Sequence, residues 1–149
     1  MTSPGNTIGG TAANTGNLIS GNGYYGIQIA GTGASGNTQV ENNVIQGNKI
    51  GTNASGTASL PNGTTGVAAG IRIESAEHVT VGGSVAGAGN LISGNIGSGI
   101  NLAVACLNTI QGNYIGTNAS GTAPLSGQTN GIEVLSSSSG KHDRRYNGN

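Results

Sequence analysis

Gly16-Asn17-Leu18-Ile19-Ser20-Gly21-Asn22 returns unchanged as Gly89-Asn90-Leu91-Ile92-Ser93-Gly94-Asn95, and this recurrence decides the fold. Thr7-Ile8-Gly9-Gly10 ahead of the first copy is echoed by Thr80-Val81-Gly82-Gly83 ahead of the second. A second run, Val44-Ile45-Gln46-Gly47-Asn48 through Ala58, comes back as Thr109-Ile110-Gln111-Gly112-Asn113 through Ala123. The offset is 73 residues from Gly16 to Gly89 but 65 from Ile45 to Ile110, so two tandem halves differ by a short deletion between Ala30 and Asn43. Repeats of this size cannot bury an apolar face alone and must stack on one another.

Within each half lies a smaller unit, Gly-Ile-x-Ile/Leu/Val: Gly26-Ile27-Gln28-Ile29, Gly70-Ile71-Arg72-Ile73, Gly99-Ile100-Asn101-Leu102 and Gly131-Ile132-Glu133-Val134. Apolar residues two apart around a polar one give a strand with one buried face. The intervening Gly-Asn pairs enter the left-handed backbone region that other residues avoid, so the chain bends sharply between strands. No window sustains a helical stripe. Strands this short suit a coiled solenoid, in which each pairs with its counterpart one turn above; a sandwich needs longer strands and hairpins. The expectation is an all-β fold, a right-handed parallel β-helix over residues 7–135. It has about five or six coils, ~4.8 Å apart. Residues 1–6 read as an N-terminal extension and 136–149 as a flexible, charged tail.

In that fold Ile27, Ile71, Ile100 and Ile132, with Ile29, Ile73, Leu102 and Val134, form inward columns. Ile19, Ile45, Ile50, Ile92, Ile110 and Ile115 line the other walls. Asn22, Asn48, Asn95 and Asn113 each follow Gly, and their superposed amides are expected to form a hydrogen-bonded asparagine ladder, the alternative being that they only permit the turn. Gln28, Arg72, Asn101 and Glu133 fall on one external polar row, the candidate ligand-facing one, and Ser20, Gln46, Ser93 and Gln111 on another; an ordinary solvated β-surface is the simpler reading of both.

Composition agrees with a solenoid. Of 149 residues 30 are Gly, charged residues are 7%, and Phe and Trp are absent, so no aromatic core fills the chain. A formal charge of +0 gives none of the cationic field that nucleic acid or anionic lipid requires. Longest of the apolar runs, Leu102–Leu107 is too short to span a bilayer, and the N-terminus has no signal-peptide pattern. The sole cysteine, Cys106, lies in this run and reads as a buried, inert thiol.

The repeats Asn108-Thr109-Ile110-Gln111-Gly112-Asn113-Tyr114-Ile115-Gly116 and Gly99-Ile100-Asn101-Leu102 resemble those of the pectin-lyase-like superfamily, particularly its Gly/Asn-rich bacterial surface and secreted members. The resemblance covers about residues 7–135. It implies an extracellular or cell-surface setting as part of a larger bacterial protein. It does not single out a function, because that fold carries lyases, hydrolases, epimerases, adhesins and passive stalks.

Candidate chemistry is sparse. Asp143 is the only aspartate, and His78 and His142 are the only histidines. Two carboxylates flanking a bond are the minimum for ordinary glycoside hydrolysis, and the repeat region offers only Glu41, Glu74, Glu77 and Glu133. None of the catalytic motifs of the resembled family can be carried over. Two Gly-x-Gly-x-x-Gly matches, Gly21–Gly26 and Gly31–Gly36, lack the following helix and the acidic residue of a dinucleotide site and read as turns. Arg72 and Glu74 flank inward Ile73, which makes them the best candidates for a base or a sugar-carboxylate contact; a plain exposed ion pair is the simpler reading. Asn53, Asn62 and Asn118 open glycosylation triplets that chance alone supplies in such a chain. Lys141–Arg145 reads as a solvated cluster. No cofactor or metal is expected, and the partners expected are carbohydrate or another β-helix segment. The function expected is a non-catalytic structural or adhesive module, the alternative a fragment of a polysaccharide lyase or glycoside hydrolase.

Overall fold

The computed structural model describes residues 4–31 and 40–135. The proposed tail, half of the extension and most of the second Gly-rich match therefore lie outside the described residues. Every regular element among the described residues is a strand: β1 (Thr7–Gly9), β2 (Leu18–Ile19), β3 (Tyr25–Ala30), β4 (Val44–Gln46), β5 (Lys49–Ile50), β6 (Ala69–Glu74), β7 (Thr80–Gly82), β8 (Leu91–Ile92), β9 (Gly97–Ala103), β10 (Thr109–Gln111), β11 (Tyr114–Ile115) and β12 (Gln128–Leu135).

They form three four-stranded sheets, β1-β4-β7-β10 (sheet A), β2-β5-β8-β11 (sheet B) and β3-β6-β9-β12 (sheet C). All strand pairings are parallel. The chain visits A, B and C in turn and adds one strand to each on every visit, here called a tier. The described residues contain four tiers, fewer than the five or six coils expected, because chain length goes into corner loops at 52–61 and 117–127.

Register places like upon like. Ile8, Ile45, Val81 and Ile110 stack in sheet A, and Ile19, Ile50, Ile92 and Ile115 in sheet B. In sheet C, Ile27-Ile71-Ile100-Ile132 and Ile29-Ile73-Leu102-Val134 stack. Ile45, Ile50, Ile71, Ile73, Ile92 and Ile100 have no exposed surface, and full burial of such a side chain stabilises by ~1.5–3 kcal/mol. At the fourth tier Ile132 and Val134 keep the register but remain 46% and 73% exposed, since no described strand lies above them.

The asparagines form ladders, but not one column. Asn17, Asn48, Asn90 and Asn113 stack at the A–B corner: each Nδ2 donates to the Oδ1 one tier up at 2.9, 3.1 and 2.9 Å. A second ladder at the B–C corner joins Asn22 to Asn62 and Asn62 to Asn95, at 2.7 and 2.9 Å. Asn48 and Asn113 thus belong to one column, and Asn22 and Asn95 to another, because Gly-Asn precedes two different walls. A third column, at the C–A corner, pairs Asn6 with Asn43, while Val79 replaces asparagine one tier up. The Val79 side chain offers no acceptor, and the Asn43 Nδ2 is buried without a partner.

Corner loops alternate. Tiers one and three carry an insertion at the A–B corner, before Asn17 and Asn90, and turn tightly at B–C through Ser-Gly-Asn. Tiers two and four do the reverse. Loops two tiers apart therefore meet across the tight corner between them: the Ala119 N–H donates to the Gly56 carbonyl at 2.9 Å, and the Ser59 hydroxyl to the Ser126 carbonyl at 2.8 Å.

Candidate functional site

Sheet C carries the predicted row, although Asn101 within it is buried rather than external. Gln28 is in register with Arg72, Arg72 with Asn101, and Asn101 with Glu133, one from each of β3, β6, β9 and β12. The row is hydrogen-bonded upward. The Arg72 Nη1 donates to the Asn101 Oδ1 at 2.9 Å, and the Asn101 Nδ2 to the Glu133 Oε2 at 2.6 Å. The Ser98 hydroxyl donates to the same carboxylate oxygen at 2.8 Å.

Arg72 and Glu74 form a bidentate ion pair, Nη2–Oε1 at 3.0 Å and Nε–Oε2 at 3.2 Å. The Arg72 guanidinium lies 5.6 Å from the centre of the Tyr25 ring, which meets Tyr24 edge to face at 5.4 Å. The hydrogen bond to Glu74 raises Arg72 above its ordinary value against the opposing effect of burial, with Tyr25, Glu74 and Glu133 adding charge attraction. The same hydrogen bond holds Glu74 below the usual carboxylate range. A general base must give up its proton, and this pair keeps Arg72 protonated. The local balance is one cation against two carboxylates, Glu74 and Glu133.

The second expected row does not exist. Gln46 and Gln111 lie in sheet A, whereas Ser20 and Ser93 follow sheet B strands; the Ser20 hydroxyl donates to the Thr52 carbonyl, and that of Ser93 is buried without a partner. Cys106 is exposed rather than buried. The apolar run does not continue as a strand past Ala103, because the chain turns at Val104 (φ 52°) and Leu107 (φ 55°) and carries the thiol to the outer corner.

Asn62 is fully buried in its ladder, so its triplet is closed to modification. The Asn53 and Asn118 carboxamides cap their own loops, accepting from Thr57 and Ala58 and from Thr122 and Ala123. A hollow of about 260 Å³ between Asn14, Asn17, Leu18, Lys49 and Ala54 holds one cation, Lys49, whose ammonium donates to the Ala54 carbonyl. Among the described residues no three His, Cys, Asp or Glu side chains could hold a metal ion, and no helix is long and apolar enough to cross a membrane.

Sequence reasoning missed Ser98 and Asn62 altogether, and for Tyr25 it missed the place in the row. Tyr25 and Ser98 join the sheet C row although they precede the Gly-Ile tetrads, where strict alternation points them inward. Asn62 joins a ladder although it follows Pro61 in an apparent loop. For Asn62 the sequence signal is the tetrad glycine. A Cβ on Gly26, Gly70 or Gly99 would lie 2.9, 2.7 or 2.7 Å from the amide nitrogen of Asn62, Asn95 or Gln128, so each glycine makes room for a ladder amide. No family model, curated protein or solved structure matches the chain.

Proposed function

We propose that the chain is a right-handed parallel β-helix acting as a non-catalytic structural and adhesive module of a bacterial surface or secreted protein, with sheet C as its carbohydrate-facing side. Support for the handedness is general: crossover connections between parallel strands of one sheet are right-handed in about 98% of cases. Support for a passive role is the Arg72–Glu74 pair, which holds the best candidate base in its protonated form. Tyr24, 57% exposed, offers an aromatic face on the first tier, where the Gln28 side chain is also exposed. The excess of carboxylate around Arg72 favours neutral sugars over uronates.

Titration of the purified chain against neutral and acidic oligosaccharides tests this reading. Binding of neutral glycans is expected, weakened about tenfold or more by Tyr24→Ala, in line with the ~1.4 kcal/mol that an aromatic–sugar face must then supply. Release of unsaturated or reducing ends from polygalacturonate or alginate, abolished by Arg72→Ala, would replace the module with an enzyme.

A further inference from the structure

Tiers one and two repeat in sequence as tiers three and four, so the junction between tier two and tier three is a pattern for a fourth tier meeting a first. At that internal junction Ile45 meets Val81, Ile50 meets Ile92 and Lys49 meets Leu91, while the Asn48 and Asn62 amides donate to Asn90 and Asn95. The corner loops match as well: the Gly47 N–H at a tight corner donates to the Ala88 carbonyl of the loop above.

Both ends carry the corresponding unpaired halves. At the fourth tier Tyr114, Ile132 and Val134 are 51%, 46% and 73% exposed, and the Gln128 amide is buried with neither nitrogen nor oxygen partnered. It lies against Gly99 where Asn95 lies against Gly70, so it stands as the last member of the second ladder. Ladder amides donate upward, and Asn113 donates only to Val81 and Gln111 carbonyls, without the upper acceptor that Asn48 finds in Asn90. At the first tier Leu18 is 50% exposed, and Asn17 and Asn22 carry the ladder oxygens that a lower tier would engage. The first tier is the more closed of the two, with Ile27 and Ile29 at 6% and 8% exposure, so its open part is sheets A and B.

From this we infer that the fourth tier of one molecule docks on the first tier of a second copy, head to tail, chiefly through sheets A and B. Ile110 meets Ile8, Ile115 meets Ile19, Tyr114 covers Leu18 and Asn113 donates to Asn17. The contact is heterologous and leaves both outer ends free, so it propagates into filaments rather than closing as a dimer. It needs the sheet register alone and not the carbohydrate role proposed above.

Sedimentation of the full chain across a concentration series is expected to show a mass that rises past the dimer. Mixing Tyr114→Cys with Leu18→Cys, each in a Cys106→Ser background, is expected to give an oxidised cross-linked pair. Facing residues of neighbouring parallel strands lie within disulfide reach. Both positions are exposed and outward, so folding is preserved, as circular dichroism will verify. A chain that stays monomeric, or Tyr114→Cys chains that cross-link with each other, overturns the inference. So does association that appears only after residues 136–149 are removed, which would assign the fourth tier to that segment.

Discussion

Val79 is the one residue that interrupts an otherwise polar column, and it makes an unusual forecast possible. Placing asparagine in a buried valine site normally strands a polar group, at a cost of ~1–3 kcal/mol beyond the lost apolar burial. At Val79 the new amide would sit between the Asn43 and Asn108 side chains and supply the acceptor that Asn43 lacks. Val79→Asn is therefore expected to be at least ~2 kcal/mol less destabilising in urea unfolding than Val81→Asn, whose neighbours are aliphatic. The tetrad glycines supply a second contrast. Gly70→Ala drives a methyl against the Asn95 amide and the Gly99 carbonyl, 2.7 and 2.8 Å away, whereas a Cβ at Gly66 meets nothing within 4 Å. The first is expected to cost ~1–3 kcal/mol, as overpacking does, the second little.

At the scale of strands and corners, the period-2 tetrads and the halves gave the inward columns directly, since Ile-x-Ile has a single way to bury both branched side chains. The ladders were half legible. Glycine-asparagine pairs announced them, but the same dipeptide serves two corners, and the insertion before Asn62 hid its place in the second column. The Arg72 row could be placed by register; its internal bonding could not, because register says which residues are level but not how far the Ser98 and Tyr25 side chains reach. That bonding has a pH signature. Glu74 has its folded value depressed, so its contribution is present above its ordinary value of 4.5 and is lost as the pH falls through the lower folded value. The pair is part-exposed and screened, so thermal melts are expected to lose ~0–1 kcal/mol over that acidic window, and Glu74→Gln to remove this dependence.

For the molecule as a whole, stability follows the tiers, because every strand pairs only with strands of the adjacent tiers. Ile100 is sealed between tiers, and Ile132 in the same column is 46% exposed. Ile100→Ala is expected to cost ~2–5 kcal/mol, and Ile132→Ala about half that or less, measured by denaturant midpoint. Hydrogen exchange is expected to be slowest in β6 and β9 and faster in β12. The ladders add something that their bonding energy does not capture. Backbone bonds between tiers run alternately up and down, so their dipoles largely cancel, as the Gly47-to-Ala88 and Leu91-to-Asn48 bonds illustrate. The bonds from carboxamide to carboxamide all run one way, each nitrogen donating to the oxygen one tier nearer the fourth, even where that nitrogen's other hydrogen goes to a carbonyl of the tier below. A chain with a formal charge of +0 is thereby electrically polar along its axis, its fourth-tier end the more hospitable to anions and its first-tier end to cations.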